Sequence, residues 1–165
     1  MNQQQSAPNL KVFLRTILII HLVIMGSLIM FSVFLVITSE KMGTFSFTQE
    51  PFEFLIPALL IVAVLVGNFL FKTVLNKDIQ DKTLKQKLAT YQTAHIIRIV
   101  PVEGIGLFAI VTYLTTTNLF FLGIAALALL ILFTYIPVKE KVEQAIIPTI
   151  DEQVYFRNPD KSFSE

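Results

Sequence analysis

Four apolar stretches alternate with short polar segments along the chain, at residues 12–38, 54–75, 91–116 and 119–137. Each is about as long as, or longer than, the roughly 20 residues that an α-helix needs to cross about 30 Å of hydrocarbon. The buried helices of a soluble core would not be this long and this numerous. The pattern therefore predicts an all-α polytopic membrane protein, an antiparallel bundle of four transmembrane helices.

The polar connections divide the chain into two parts. Residues 1–138 are predicted to form the four-helix transmembrane domain, and residues 139–165 a short polar cytoplasmic tail. Residues 115–118 join the last two apolar stretches so tightly that these helices must be antiparallel neighbours. The charged run at residues 139–143 predicts a short helix that ends near Pro148.

The polar loop before the third apolar stretch has a helical pattern of its own. Leu84, Leu88 and Tyr91 recur at helical spacing, so we expect the third helix to begin before its apolar part. Three lysines accompany these residues: Lys82, Lys85 and Lys87. They would form either a basic face near anionic lipid headgroups or a solvated helix end.

Composition supports the membrane class and removes several kinds of chemistry. Of 165 residues, 54% are hydrophobic and 15% charged, and the mean hydropathy is +0.68. Because the chain has no cysteine, disulfides, thiolate metal sites and cysteine nucleophiles are excluded. The sequence shows neither a nucleophile–base arrangement nor the spacing of metal ligands on a helix. We therefore expect a protein that is not an enzyme, with no cofactor, no metal and no nucleic-acid partner.

Basic residues are distributed unevenly between the polar segments. Lys41 lies in the loop after the first apolar stretch, and Arg98 lies inside the third. If both termini are inside, all the others are cytoplasmic: Lys11, Arg15, Lys72, Lys77, Lys82, Lys85, Lys87, Lys139, Lys141, Arg157 and Lys161. By the positive-inside rule, this asymmetry predicts a protein of the bacterial inner membrane with its N-terminus and C-terminus in the cytoplasm.

Five of the polar residues within the apolar stretches are candidates for a site: His21, Asn68, His95, Arg98 and Glu103. A count at about 1.5 Å per residue places Asn68, His95 and Arg98 at similar depth in the cytoplasmic half, and His21 and Glu103 nearer the midplane. Ionisable groups inside a membrane mark proton and ion pathways, so these five are candidates for binding a proton, an ion or a polar ligand. The alternative is that they are unrelated residues, satisfied by backbone and water.

Glu103 is the residue of this group that is hardest to accommodate in lipid. The long side chain of Arg98 can extend to the cytoplasmic surface, whereas the carboxyl of Glu103 reaches neither surface. The two residues lie five positions apart, about 140° around a helix, so they do not face each other. We therefore expect Glu103 to face the interior of the bundle.

Small residues suggest how another helix approaches Glu103. Gly104 and Gly106 beside it permit close contact, and Ala63 and Gly67 form a small-xxx-small pattern suited to it.

Two interpretations of Glu103 remain open. It binds a proton, a cation or a polar ligand, or it only holds helices together through a hydrogen bond to His21, Asn68 or a backbone carbonyl.

The stretch Glu-Gly-Ile-Gly-Leu-Phe-Ala-Ile-Val, which begins at Glu103, resembles the second helix of rotary ATPase proteolipid subunits. The resemblance implies that Glu103 matches the position of a reversible proton carrier. It does not extend to ring formation or rotary coupling, because no glycine-repeat helix and no short Arg-Gln-Pro type of loop precede it. Residues 97–104, 118–121 and 137–142 resemble small four-helix membrane proteins of Bacteroidota-type bacteria, a family without established activity, which implies the fold alone.

These observations lead to two hypotheses. In the first, the protein is a small non-catalytic subunit or oligomer in the lipid bilayer, and Glu103 binds a proton or cation or gates a polar solute. We expect it to form a homo-oligomer or to associate with other membrane subunits. In the second, it is an assembly or scaffold protein, recruited through the basic loop and the charged tail, in which Glu103 only joins helices.

Overall fold

The computed structural model describes residues 9–38, 43–46, 51–76, 79 and 81–163. These residues form six helices: α1 (Leu10–Thr38), α2 (Pro51–Asn76), α3 (Leu84–Thr116), α4 (Leu119–Thr134), α5 (Lys139–Ile146) and α6 (Ile150–Arg157). The first three are each long and apolar enough to cross a membrane, and α4 with α5 forms a further candidate span that is bent by 69°. The predicted fold class, an all-α bundle of long apolar helices, is confirmed.

Two helix ends differ from the predicted bounds for local reasons. The helix α3 begins at Leu84, seven residues before residue 91, because Thr83 and Gln86 form a reciprocal capping box. The helical spacing in the preceding loop had predicted this early start. The helix α4 ends at Thr134 rather than at residue 137, since the residue before a proline disfavours helical backbone and Pro137 follows.

The central element of the bundle is α3. It packs most extensively against α2 and α4, and α1 packs against α3 and α4. The chain reverses between α3 and α4 at Thr117, whose left-handed backbone (φ 55°) closes the end of α3, and at Asn118, which caps α4. These two helices are therefore antiparallel neighbours, as the short connection predicted.

Exposed apolar side chains form a continuous band around the four long helices, which we call the lipid-facing belt. Its exposed members lie within residues 19–37 on α1, 52–70 on α2, 100–114 on α3 and 119–133 on α4. No charged side chain is fully exposed within these ranges. At about 1.5 Å per residue the belt is roughly 21–27 Å tall, close to the thickness of the hydrocarbon core. All four helices, α4 included, thus contribute to one membrane-facing surface.

A second apolar cluster lies beyond one edge of the belt, and we call this part of the molecule the basic end. It contains the start of α1, the end of α2, the first turns of α3, and the helices α5 and α6. Val142 and Ile146 of α5 and Phe156 of α6 are almost completely buried there against Leu10 and Leu88. Residues 139–163 are therefore packed against the bundle. The opposite edge of the belt, with residues 43–46 and the α3–α4 turn, is the loop end.

An ion pair fastens the tail to the bundle. Lys87 Nζ lies 2.7 Å from Glu152 Oε2, and the Lys87 side chain is only 1% exposed. Both expectations for Lys87, a lipid-facing basic residue or a solvated one, are wrong, because its aliphatic chain lies in the apolar cluster and its charge is paired. Lys41 and Lys77, which contribute to the predicted charge asymmetry, lie outside the described residues.

Candidate sites for protons and polar ligands

His21 and His95 form a buried pair between α1 and α3. His21 Nδ1 lies 3.1 Å from His95 Nε2, and His21 Nε2 lies 3.1 Å from the carbonyl oxygen of Leu132 in α4. A carbonyl oxygen only accepts, so His21 Nε2 carries a hydrogen. Neutral His21 then accepts at Nδ1 from His95 Nε2. The pair joins three helices through one oriented chain of hydrogen bonds, and Tyr91 stacks on His95 with 10° between the ring planes.

The contact between these histidines corrects the depth count. The count had placed His21 with Glu103 near the midplane, but His21 lies at the level of His95. The reason is that Ile17 and other apolar residues at the start of α1 pack in the cluster at the basic end and do not face lipid. The pair therefore lies close to the edge of the lipid-facing belt, which begins at Ile19 on α1 and at Val100 on α3.

Arg98 lies at the same edge, between aromatic rings. Its guanidinium carbon is 3.6 Å from the ring centroid of Tyr135 and 4.9 Å from that of Phe71. Asn68 Nδ2 donates to the Tyr135 hydroxyl at 3.0 Å and to the Val64 carbonyl at 2.8 Å. Asn68, Arg98 and Tyr135 thus form one cluster, which we call the arginine cluster.

Glu103 is half-buried between α3 and α1, and its partner is Ser27. The Ser27 hydroxyl oxygen lies 2.6 Å from Glu103 Oε1 and 2.8 Å from the carbonyl oxygen of Ile24. The expected partners, His21, Asn68 or a carbonyl group, are therefore wrong. The orientation toward another helix agrees with the expectation, although the carboxyl is not completely enclosed.

The glycines near Glu103 have different surroundings. A Cβ atom at Gly106 would meet Leu28 of α1 at 3.0 Å and Ala128 of α4 at 3.2 Å, whereas a Cβ atom at Gly104 would meet nothing within 4 Å. Gly67 of α2 approaches α3 at Arg98, where a Cβ atom would lie 3.0 Å from the carbonyl oxygen. Close helix approach thus occurs at Gly106 and Gly67, but α2 does not contact the glycines beside Glu103 through Gly67.

A fourth polar site, at the loop end, was missed by the sequence analysis. Glu53 is 4% exposed, and its Oε1 accepts a hydrogen bond of 3.1 Å from Asn118 Nδ2. Asn118 also donates to the Ser46 carbonyl at 2.9 Å and caps α4 by accepting from the Phe120 amide at 3.1 Å. Glu53 lies one position before the second apolar stretch as predicted, at residues 54–75, so it was not among the candidate residues. The available signal was Asn118 directly before an apolar run, a position typical of a helix N-cap.

The structure joins four of the five candidate residues into two pairs and leaves Glu103 apart from both. His21 and His95 contact each other, Asn68 and Arg98 share Tyr135, and Glu103 lies about five residues, or roughly 7.5 Å, farther into the belt than Arg98. Within the described part of the chain, no group of three or more His, Cys, Asp or Glu side chains could hold a metal ion.

No protein family, curated protein or solved structure matches this chain.

Proposed function

We propose that the protein is a non-catalytic membrane subunit that takes up and releases a proton at Glu103, between α1 and α3. The observation that carries the proposal is the position of the Ser27 hydroxyl, within hydrogen-bond distance of both Glu103 and the Ile24 carbonyl. This geometry suits both protonation states of the carboxyl.

The number of hydrogens at Ser27 lets its hydroxyl serve both protonation states of the carboxyl. A serine hydroxyl has one hydrogen, and a carbonyl oxygen only accepts. When Glu103 is ionised, Ser27 donates to its carboxylate. When Glu103 is protonated, the carboxyl donates to the Ser27 oxygen, and the serine hydrogen turns to the Ile24 carbonyl. Loss or gain of the proton then requires rotation of one hydroxyl and no movement of a helix.

The surroundings favour a protonatable site over a permanent ion pair. Among the described residues no cation lies within ion-pair distance of Glu103. An unpaired carboxylate is unfavourable in hydrocarbon, and Glu103 lies about three residues, or roughly 4.5 Å, inside the edge of the belt at Val100, so a permanent charge would have no counter-charge there. The His21–His95 pair lies in the same α1–α3 interface, closer to the basic end, and provides further exchangeable hydrogens on that side.

Labelling with a hydrophobic carbodiimide tests the proposal, because this reagent reacts with protonated carboxyls in apolar surroundings. We expect Glu103 to be labelled in proteoliposomes at low pH and progressively less as the pH rises. Glu103→Gln should abolish this labelling, and Ser27→Ala should change its pH dependence. Glu140→Gln, which alters an exposed carboxyl of α5, is the matched control. No labelling of Glu103 at any pH would contradict the proposal.

A scaffold role is the second candidate, and one observation favours it. Ile147, Ile150 and Val154 remain exposed on the packed tail, outside the lipid-facing belt, and Ile147 has a left-handed backbone (φ 45°) that is unusual for a β-branched residue. Such a surface suits a protein partner. If Ile150→Asp removes function in the cell while Glu103→Gln does not, the scaffold role is favoured over proton binding.

We further propose that the basic end faces the cytoplasm of a bacterial inner membrane, with both termini inside. The charge asymmetry supports this orientation, since the basic residues of the described chain lie at or beyond that edge of the belt. Association with itself or with other membrane subunits is also proposed. Protease accessibility of a tag placed after residue 165, in intact cells and in inverted vesicles, tests the orientation.

A further inference from the structure

An apolar groove on the lipid-facing surface between α2 and α4 leads to the arginine cluster. The groove has a volume of about 280 Å³ and only apolar lining residues: Pro57, Leu60, Ile61, Val64, Leu65, Ile124, Leu127 and Ile131. Val64 lies one helical turn before Asn68, and Ile131 one turn before Tyr135. The hydrogen bond from Asn68 to the Val64 carbonyl connects the wall of the groove directly to the cluster.

The arginine cluster has hydrogen-bond donors without acceptors. A guanidinium group has five N–H donors. Arg98 makes no ion pair and no side-chain hydrogen bond with any described residue, and its Nε is buried without a partner. The Tyr135 oxygen accepts from Asn68, so its own hydrogen remains available beside Arg98. A buried donor without an acceptor is unfavourable, and the other guanidinium hydrogens also have no acceptor among the described residues, which points to an acceptor supplied from outside the chain.

The depth of the cluster indicates what that acceptor is. Arg98 and Tyr135 lie at the edge of the lipid-facing belt, within two residues of Val100 on α3 and Phe133 on α4, the last exposed apolar residues there. The phosphates of a lipid leaflet lie at this level, and a guanidinium fork matches the geometry of phosphate oxygens. A second cation is close by, because Lys141 Nζ donates to the carbonyls of Thr134 and Ile136 on either side of Tyr135.

We propose that this face binds one phospholipid of the leaflet at the basic end. An acyl chain lies in the groove between α2 and α4, and the headgroup phosphate accepts hydrogen bonds from Arg98 and Tyr135. Because Arg98 and Lys141 together exceed the single negative charge of a phosphate, an anionic headgroup is favoured over a zwitterionic one. The aromatic rings of Tyr135 and Phe71 hold the guanidinium in place for this contact. The site does not depend on proton binding at Glu103.

Native mass spectrometry of the full-length protein in detergent micelles tests the proposal, with three probes. Phosphatidylglycerol has the chains and the phosphate, diacylglycerol has only the chains, and inorganic phosphate has only the anion. We expect phosphatidylglycerol to bind most tightly. Arg98→Gln should weaken its binding roughly ten- to hundredfold, the effect of losing a charge-assisted hydrogen bond, whereas Arg15→Gln, which removes an exposed charge of α1, should not.

A second pair of variants tests the groove while Arg98 stays intact. Ile61→Trp fills the groove and should weaken phosphatidylglycerol binding, whereas Val62→Trp, at an equally exposed neighbouring position that does not line the groove, should not. Unchanged binding in both Arg98→Gln and Ile61→Trp would overturn the proposal. Diacylglycerol binding as tightly as phosphatidylglycerol would also overturn it. The phosphate would then contribute nothing to binding, and Arg98 would contact only its aromatic rings. Displacement of the lipid by inorganic phosphate would indicate a free-anion site instead.

Discussion

His21 and His95 contact each other through Nδ1 and Nε2 at 3.1 Å, although 74 positions separate them in the chain. The Leu132 carbonyl on the other side of His21 fixes the direction of the hydrogen bonds, so His95 donates to His21 and His21 donates to α4. One residue of α1 therefore connects the two helices against which α1 packs. Both rings are almost completely buried, so the bonds are not exchanged for bonds to water.

Replacement of His21 by alanine should destabilise the bundle. The change leaves the buried donor of His95 without a partner, at roughly 1–3 kcal/mol, and removes one of two hydrogen bonds to the Leu132 carbonyl, which still accepts from the Tyr135 amide at 2.9 Å. We expect a lower midpoint of thermal unfolding in detergent micelles than for the native chain. Leu22→Ala, which truncates the neighbouring half-exposed side chain, is the control and should have a much smaller effect. Equal losses for the two variants would mean that the histidine contact does not stabilise the fold.

The helices could be predicted because the apolar pattern is local, but the depths of the polar residues could not. The depth of each polar residue was counted in residues from the end of its apolar stretch. This count assumes that the apolar residues of the stretch face lipid. Ile17 near the start of α1 is apolar because it packs in the cluster at the basic end. The apolar stretch of α1 therefore starts well before the lipid-facing belt, and His21 was placed too deep.

The partners of the candidate residues depend on helix rotation, which the pattern does not determine. Ser27 and Ser32 are both hydroxyl residues of α1, and only the packed bundle brings Ser27 to Glu103. Glu53 was missed for another reason. It directly precedes the predicted stretch at residues 54–75, but it lies in the first turn of α2, where Asn118 of the α3–α4 turn covers it. Contacts between sequence-distant turns leave no periodic signal.

Substitution at two glycines should separate helix packing from helix propensity. In Gly67→Ala, the new methyl group lies 3.0 Å from the Arg98 carbonyl oxygen, a backbone atom that cannot move aside alone. We expect destabilisation by about 1–3 kcal/mol, the usual range for overpacking. In Gly104→Ala the methyl group meets nothing within 4 Å, so the better helix propensity of alanine should leave stability unchanged or raise it by up to about 1 kcal/mol.

Thermal unfolding of both variants in the same micelles checks this prediction, since each variant adds the same single methyl group. If Gly104→Ala were destabilised more than Gly67→Ala, α2 would not contact α3 closely at Arg98.

The attachment of α6 to the bundle should depend on pH through Glu152. Partial burial raises the pKa of this carboxyl, but the hydrogen bonds from Lys87 and from the Thr149 backbone outweigh this and hold the pKa below its ordinary value of 4.5. Because the folded-state pKa is depressed, the stabilising contribution is present above about pH 4.5 and is lost as the pH falls through the lower folded-state value. Hydrogen exchange of the α6 amides, corrected for intrinsic rates, should show protection lost in that acidic range.

Two neighbouring variants provide the controls for this pH dependence. Glu152→Gln removes the titrating group and leaves Lys87 buried without a counter-charge. The free energy of opening of α6 should therefore be lower by roughly 1–3 kcal/mol at every pH. Asp151→Asn alters an exposed carboxyl one position away and should retain the acid-induced loss. The same acid-induced loss in Glu152→Gln would assign the transition to another group.

The hydrogen bond between Asn118 and Glu53 allows a test by exchange of the two functional groups. Asn118→Asp keeps an oxygen that can cap α4 by accepting from the Phe120 amide, but it replaces the Nδ2 donor 3.1 Å from Glu53 by a second carboxylate oxygen. We therefore expect Asn118→Asp to destabilise the bundle at neutral pH, because two carboxylates would face each other. Adding Glu53→Gln should restore stability at neutral pH, because the new amide can donate to the new carboxylate. Glu53→Gln alone should be milder than Asn118→Asp, since it introduces no second charge. Thermal unfolding of the three variants at neutral pH measures the coupling between the two sites, and purely additive effects would mean that these side chains do not interact.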